Sequence, residues 1–99
     1  MIVITRHSDT IKLLKEKGII TDNDIILDHV DNIEQIEGQV VLGTLPIDLA
    51  AYCQKILFIK WNIPLEARGR EWTYEETKAY YNGISEYKVI SLDYKLFPQ

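Results

Sequence analysis

The sequence predicts an α/β fold in which helices cover a central sheet as three layers, with the element order βαββαβαβ. Short apolar runs typical of buried strands alternate with stretches in which apolar residues recur at helical spacing. Two of these runs, residues 2–5 and residues 40–42, stop abruptly at polar clusters that can start a helix. In open α/β sheets such joints lie at the carboxyl edge, where helix N-termini attract anions. Functional residues are therefore expected at that edge.

The first half of the chain is predicted to contain three strands and one helix. Ser8 is a residue type that caps helix N-termini, and Gly18 is typical of the position just after a helix ends. The second and third strands are joined by fewer residues than the roughly one dozen of a parallel crossover, so we expect them to be antiparallel neighbours or separated by other strands. The predicted elements are strand 2–5, helix 10–17, strand 24–30 and strand 39–42.

The second half is predicted to alternate helices and strands. Thr44 can cap the second helix, with Pro46 in its first turn, where a missing N–H costs little. Thr73 and Glu76 match a capping box at the start of the third helix. The predicted elements are a helix capped at residue 44, strand 55–59, irregular segment 64–72, a helix from residue 73 to about residue 85, and strand 87–96.

Length and charge restrict the function classes. A chain of 99 residues with 46% hydrophobic and 26% charged content fits one globular domain, residues 1–99. The net charge of −4 and the pI near 5.1 argue against a protein that coats long nucleic acid, which needs many Lys and Arg contacts with phosphates. A small phosphate ligand is compatible, because screening over ~8 Å lets a few local cations outweigh remote charge. The small core also favours association, and we expect a homodimer.

The chain is expected to be cytoplasmic and to have no membrane segment. Cys53 is the only cysteine, so no internal disulfide can form and a reducing compartment fits. It follows apolar residues rather than cations, which favours a packed thiol over a nucleophile. The first residues lack the pattern of a signal peptide, and no apolar run approaches the ~20 residues that span a bilayer.

Arg6, His7 and Ser8 form the first candidate site. A guanidinium can clamp phosphate oxygens with two parallel hydrogen bonds, an imidazole can move a proton near neutral pH, and a hydroxyl with helix amides can hold an oxyanion. The alternative is structural, with Ser8 capping the helix and Arg6 paired with a carboxylate such as Asp9. We favour the functional interpretation, because a cap needs neither Arg nor His beside it.

The turn Gly43, Thr44, Leu45 and Pro46 is the second candidate site. Its glycine lets the backbone approach a ligand, and its hydroxyl is placed at a helix start. Such turns are common in proteins that bind nothing there, so the turn taken alone favours a structural role.

The loop Arg68, Gly69 and Arg70 is the third candidate site. Its two cations could close over an anion if the loop returns to the same sheet edge. Equally, the loop can be a solvated turn with Glu66 and Glu71 as ion partners. The two interpretations are balanced.

No metal site and no cofactor is expected. Asp28, His29 and Asp31 are the one cluster of ligand types, but strand alternation turns Asp28 away from His29. A solvated strand end is the better account of this cluster.

Aromatic side chains lie close to the third candidate site in sequence. Trp61, Trp72 and Tyr74 could stack on nucleobases. The alternative is a core role, which is the more frequent one for aromatic residues at helical spacing.

These motifs together resemble a known family. The opening strand that ends in Arg6 and His7, the turn 43–46 with the residues 49–51 after it, and the segment 64–71 have the order and spacing of the small CRISPR-associated family of type III systems written Csx-sixteen. The resemblance spans nearly the whole chain. It implies a Rossmann-like or CARF-like fold and a role in cyclic-oligoadenylate signalling. Similar proteins are ring nucleases that bind cyclic tetra-adenylate and linearise it, which switches off defence effectors.

The resemblance also implies a mechanism. The ribose 2′-hydroxyl would attack its own phosphate without a metal, giving a linear adenylate with a 2′,3′-cyclic phosphate. A ring of four phosphates suits a homodimer whose two-fold axis passes through the ligand. Arg6 and Arg68 would hold the phosphate, and His7 would assist proton transfer. The residues expected to complete the ligand site are Ser8, Gly43, Thr44, Leu45, Pro46, Gly69 and Arg70.

Two alternatives stay open. A module that sequesters the same messenger without cutting it needs only phosphate positioning, and His7 is the residue that discriminates between them. A protein-interaction subunit would instead present its aromatic loop and apolar C-terminal strand to a partner, and it would have no affinity for nucleotides.

Overall fold

A five-stranded mixed sheet organises the computed structural model, which describes residues 1–92. The strands are β1 (Ile2–Ile4), β2 (Ile25–Leu27), β3 (Val40–Gly43), β4 (Lys55–Trp61) and β5 (Tyr81–Tyr87), and the helices are α1 (Ser8–Glu16), α2 (Ile47–Ala50) and α3 (Tyr74–Tyr80). The predicted α/β fold and the element order βαββαβαβ are confirmed.

The strand order across the sheet is β2-β1-β3-β4-β5. β1 pairs in parallel with both β2 and β3, β3 pairs in parallel with β4, and β5 is antiparallel to β4. The short link between β2 and β3 therefore joins strands that β1 separates. This is the second of the two arrangements that the connection length allows.

The core lies on both faces of the sheet, because successive strand residues point to opposite sides. On one face Ile2 and Val41 pack against Cys53, which follows α2. On the other face Val3 and Leu42 pack against Leu14 of α1. α3 lies against α1. Helices thus cover both faces, and full burial of each large aliphatic side chain stabilises the layers by roughly 1.5–3 kcal/mol.

The first helix begins earlier than predicted. α1 starts at Ser8, His7 occupies the N-cap position and no side chain caps the helix, so the prediction that Ser8 is the cap is wrong. The other end agrees with the sequence. Gly18 has φ +71°, and the amides of Gly18 and Ile19 bond back to carbonyls of the last turn at 3.0 and 2.9 Å.

The second helix begins later than predicted. The N-cap of α2 is Pro46 rather than Thr44, so the prediction that Pro46 lies inside the first turn is also wrong. The Pro46 carbonyl accepts hydrogen bonds from the amides of Leu49 and Ala50 at 3.0 Å. Proline suits this position, because an N-cap residue contributes its carbonyl to the helix and not its N–H.

The third helix ends sooner than predicted. Thr73 and Glu76 form the expected capping box. The helix was expected to continue to about residue 85, yet it ends at Tyr80 and the chain passes directly into β5. In β5, Ile84 lies opposite Ile59 of β4, so a residue within the predicted helix is a cross-strand partner.

The closing strand also differs in position. The strand predicted over residues 87–96 overlaps β5 only at Tyr87, and residues 88–92 are not in a strand. Residues 93–96 of that prediction lie outside the described residues. No helix in the described part of the chain is long and apolar enough to cross a membrane.

Candidate functional site

The carboxyl ends of β1 and β3 lie side by side, with Ile4 paired to Gly43. After β1 the chain turns to α1 on one face of the sheet, and after β3 it turns to α2 on the opposite face. Neighbouring strands whose connections leave to opposite faces form a topological switch point, and ligands of open α/β sheets bind in the crevice there.

A cavity of about 690 Å³ occupies this crevice. Small-molecule sites typically measure roughly 300–1,000 Å³. One wall is the turn from β1 into α1, residues 4–10, and a second is the end of β3, residues 42–44. The opposite wall comes from β4, residues 70–72 and Thr77 of α3. The sequence-predicted site residues that line the cavity are Arg6, His7, Ser8, Gly43, Thr44 and Arg70.

The N-terminus of α1 forms the polar end of the cavity. The His7 amide donates to Thr5 Oγ1 at 3.1 Å, which fixes the entry to the helix. The bond from Ile11 N–H to the His7 carbonyl, 3.2 Å, closes the first turn. The amides of residues 8–10 precede that bond, and no side chain caps them. Together with the helix dipole, these amides attract an anion placed in the cavity.

Gly43 allows the strands to approach closely at this point. Its φ is +143°, and a Cβ built there would lie 2.5 Å from the Ile4 carbonyl oxygen. Any side chain would therefore force β1 and β3 apart or tilt their ends. The glycine predicted to let a ligand approach also has a structural role, which is to bring two strand ends together.

Charged side chains of both signs face the cavity. Arg6 is exposed and, within residues 1–92, takes part in no ion pair. Asp9 is half-buried and Glu71 is exposed, and both line the same space. The two carboxylates offset the two lining cations, Arg6 and Arg70, so the cavity carries no net positive charge, and its positive end lies at Arg6 and the first turn of α1.

Arg70 lines the cavity as a paired group. Its Nη1 and Nη2 donate to the two carboxylate oxygens of Glu76 at 3.0 and 2.6 Å, and the carbonyls of Glu66 and Glu71 accept two further bonds. The Tyr80 hydroxyl also donates to Glu76, at 2.9 Å. The hydrogen bonds from Arg70 hold the pKa of Glu76 well below its ordinary value, and the same carboxylate raises the pKa of Arg70.

Four sequence-predicted residues do not reach the cavity. Arg68 and Gly69 are exposed in the loop before α3 and are not among its lining residues. Pro46 is exposed at the N-cap of α2. Leu45 contacts the core on the α2 face and lines a separate cavity of about 380 Å³.

Two tryptophans form the apolar wall of the cavity. The rings of Trp61 and Trp72 meet edge to face with centroids 5.4 Å apart. Tyr74, the third aromatic residue considered from the sequence, lies elsewhere. Its hydroxyl donates to Glu16 of α1, and the Lys12 ammonium lies 4.1 Å from its ring centroid.

Other candidate residues have structural surroundings. Cys53 is 2% exposed, and burial raises the pKa of its thiol, as expected for a packed cysteine. His29 Nε2 lies 2.7 Å from Asp31 Oδ1 at the surface. Within residues 1–92, no group of three or more His, Cys, Asp or Glu side chains is placed to hold a metal ion.

Two features of the site were not predicted from the sequence. Glu76 was identified as a capping residue, but its pairing with Arg70 was not expected. Thr77 reaches the cavity from α3 and was not considered. Glu76 lies six positions after Arg70, a spacing that matches neither helical nor strand periodicity in an irregular segment. The pairing of the two side chains is therefore visible only in the fold.

Comparison with protein families gives one match. Residues 2–90 match the family described as "Putative CRISPR-associated protein (Cas_VVA1548)". No curated protein and no solved structure matches the chain.

Proposed function

This chain belongs to the CRISPR-associated family Cas_VVA1548, and from that premise we propose that it binds a cyclic oligoadenylate messenger and linearises it. The observation that carries the proposal is the cavity at the switch point, where Arg6, His7 and the first turn of α1 face one space. This combination provides a phosphate clamp, a group that transfers protons and a set of amide donors. Each of these three components accelerates phosphodiester cleavage by a neighbouring hydroxyl.

Binding would depend on a small number of strong contacts. A hydrogen bond between a guanidinium and a phosphate contributes about 1.5–3 kcal/mol, and helix amides add to it. Arg6 is available for such a bond because it takes part in no ion pair within residues 1–92. The carboxylates of Asp9 and Glu71 in the same cavity would repel a second phosphate placed beside the first. The charge pattern therefore favours a compact ligand in which one phosphate lies at Arg6.

The size of the cavity bears on how a ring would be held. At about 690 Å³ the space suits a drug-sized ligand, which corresponds to roughly one or two nucleotides. A ring of four adenylates is larger than that. Two copies of the chain, related by a two-fold axis through the ring, would each hold one phosphate and its neighbouring base. The proposed partner is therefore a second copy of the same chain.

The cleavage step conserves atoms and protons. His7 accepts the proton of a ribose 2′-hydroxyl, and the 2′-oxygen forms a bond to the adjacent phosphorus. The bond from phosphorus to the 5′-oxygen breaks, and that oxygen takes up a proton from the imidazolium. Arg6 and the amides of residues 8–10 stabilise the charge that develops on the phosphate. The products are a 2′,3′-cyclic phosphate and a free 5′-hydroxyl.

The position of Arg68 changes the expected division of roles. The sequence-based hypothesis assigned the phosphate contact to both Arg6 and Arg68. Because Arg68 lies outside the cavity, Arg6 alone would make that contact. Arg70 would contribute to the shape of the wall rather than to the charge of the site, since Glu76 occupies its guanidinium. We therefore expect Arg6→Ala to weaken binding far more than Arg68→Ala.

The test is incubation of the purified chain with cyclic tetra-adenylate in excess EDTA, with the nucleotide followed by chromatography beside a binding titration. We expect linear products that end in a 2′,3′-cyclic phosphate. His7→Ala should slow cleavage by roughly 10²–10⁴-fold while binding persists. The matched control is His29→Ala, because His29 is bonded to Asp31 away from the cavity and its loss should leave the rate unchanged.

Three results would contradict the proposal or one of its parts. Tight binding with the ring intact would favour the sequestering module. Absence of both binding and cleavage would reject the nucleotide role and direct attention to a protein partner. Equal effects of His7→Ala and His29→Ala would remove His7 from the mechanism even if the ring were cleaved.

A further inference from the structure

We propose that Trp61 and Trp72 form the base-binding subsite of the cavity, on which a nucleobase stacks while its phosphate lies at Arg6 and the first turn of α1. The inference deepens the proposed function and rests on it for the identity of the ligand as an adenylate. It assigns a role to a wall that the cleavage chemistry does not use.

The surroundings of the two rings favour a binding surface over a core. Neither tryptophan belongs to the buried clusters on the two faces of the sheet. Both are half-buried, and both line the cavity that Arg6 lines. A large aromatic ring that stays accessible beside an anion-attracting helix N-terminus provides the two contacts that a nucleotide needs, one for its base and one for its phosphate.

The wall is rigid before any ligand arrives. The Trp72 indole N–H donates to the Ala67 carbonyl at 2.9 Å, and its ring meets that of Tyr80 with centroids 5.1 Å apart. Trp61 packs edge to face against Trp72 and, at 6.3 Å, against Tyr81. Fixed rings lose little conformational entropy when a base stacks on them. Because the Trp72 N–H is already bonded, that side chain would offer its ring rather than a hydrogen bond.

The spacing across the sheet fits one nucleotide. β3 separates β1 from β4, and the pairing registers set Val3 level with Leu57, about 10 Å away across the sheet. Arg6 lies three residues past Val3 and Trp61 four residues past Leu57, so both extend beyond that level at the same edge of the sheet. A phosphate, its ribose and its base can extend across such a gap, whereas a free phosphate would touch only the β1 side.

The first test compares adenosine 5′-monophosphate with ribose 5-phosphate, which share a phosphate and differ in the base. The chain has two tryptophans, so a ¹⁵N-labelled sample gives two indole N–H signals, assigned with Trp61→Phe and Trp72→Phe. We expect the monophosphate to shift the indole signals and to bind roughly 5–150-fold tighter than ribose 5-phosphate. Equal affinities for the two probes would overturn the proposal without the use of any variant.

The second test uses variants. Trp61→Leu and Trp72→Leu should each reduce the ratio of the two affinities toward one, while Trp72→Phe retains most of it. Tyr74→Leu is the matched control, because Tyr74 is aromatic, close in sequence and outside the cavity. A merely structural role would weaken both probes equally and leave the ratio unchanged, and that outcome in both leucine variants would overturn the proposal.

The outcomes separate the subsite from the reaction. If the chain binds the monophosphate more tightly than ribose 5-phosphate through its tryptophans but leaves cyclic tetra-adenylate intact, the base subsite is supported and the cleavage proposal is rejected. If the leucine variants of the two tryptophans cleave the ring as well as wild type does, the cleavage proposal is supported and the base subsite is rejected.

Discussion

Replacement of Gly43 by alanine tests the geometry on which the site depends. Gly43 ends β3 opposite Ile4 of β1 with φ +143°, and an added Cβ would lie 2.5 Å from the Ile4 carbonyl oxygen. The obstacle is backbone rather than a flexible side chain, so the new methyl group cannot be accommodated by a rotamer change. The strand ends that flank the cavity would have to move.

The expected cost has two parts. Holding a residue other than glycine in this backbone conformation costs about 1–3 kcal/mol. Displacing β1 adds about 1–3 kcal/mol, the usual cost of overpacking. The sum of roughly 2–6 kcal/mol is a large share of the ~5–15 kcal/mol by which a domain is stable. With a urea m-value of about 2 kcal/mol per molar, the unfolding midpoint should fall by roughly 1–3 M.

The assay is urea unfolding followed by circular dichroism, with Gly38→Ala as the matched control. Gly38 also has a positive φ, +71°, but a Cβ there meets nothing within 4 Å. It should cost only about 1–2 kcal/mol. Equal destabilisation by the two variants would refute the reasoning, because it would mean that the contact with Ile4 carries no energy beyond the backbone conformation.

Three further outcomes are expected. The folded protein holds the pKa of Glu76 below its unfolded value of about 4.3. The ionised carboxylate therefore stabilises the fold above that pH, and this contribution is lost as the pH falls toward the folded pKa. The difference in urea midpoint between wild type and Glu76→Gln should shrink on acidification. Burial, together with the hydrogen bond to Glu16, raises the pKa of Tyr74 to about 12. The protonated hydroxyl therefore stabilises the fold fully below pH ~10, and this contribution is lost as the pH rises to about 12. Over that range wild type should lose stability relative to Tyr74→Phe. Cys53→Ser should cost about 1–3 kcal/mol in urea unfolding, because it places a hydroxyl in a site that is 2% exposed, and Cys53→Ala should cost less if polarity rather than lost volume is the cause.

The strand ends and the sheet edge that holds the cavity could be predicted because they follow from local patterns. The apolar runs that end at Arg6 and at Gly43 identify two strand ends, and parallel strands bring such ends to one edge. The structure places both turns around one cavity. The strand order could not be predicted, because the short link between β2 and β3 allows antiparallel neighbours as well as strands separated by others, and only the structure shows β1 between them.

The helix assigned to residues 81–85 shows where local patterns fail. Tyr81 and Ile84 recur at helical spacing, but in the structure they pair across to Trp61 and Ile59 of β4. A strand gains these partners only after β4 is in place, so periodicity within the segment cannot reveal them. The sequence contains one signal against a helix here, because Asn82 is followed by Gly83. In the structure Gly83 has φ +98°. An Asn-Gly pair is a frequent break in a helix.

The two arginines at the cavity show why residue type alone could not assign the site. Arg70 was expected to bind ligand, with Glu66 and Glu71 as the alternative ion partners. The structure gives it a third carboxylate, Glu76, while Glu66 and Glu71 accept through their carbonyls. That pairing fixes the loop that carries Trp72, so Arg70 orients the aromatic wall instead of adding charge to the cavity. Arg6 is left as the cation without an ion-pair partner among the lining residues, all of which lie within residues 1–92. In the proposed dimer a ring of four phosphates would meet two such cations on opposite sides, which would hold the messenger symmetrically without a basic surface.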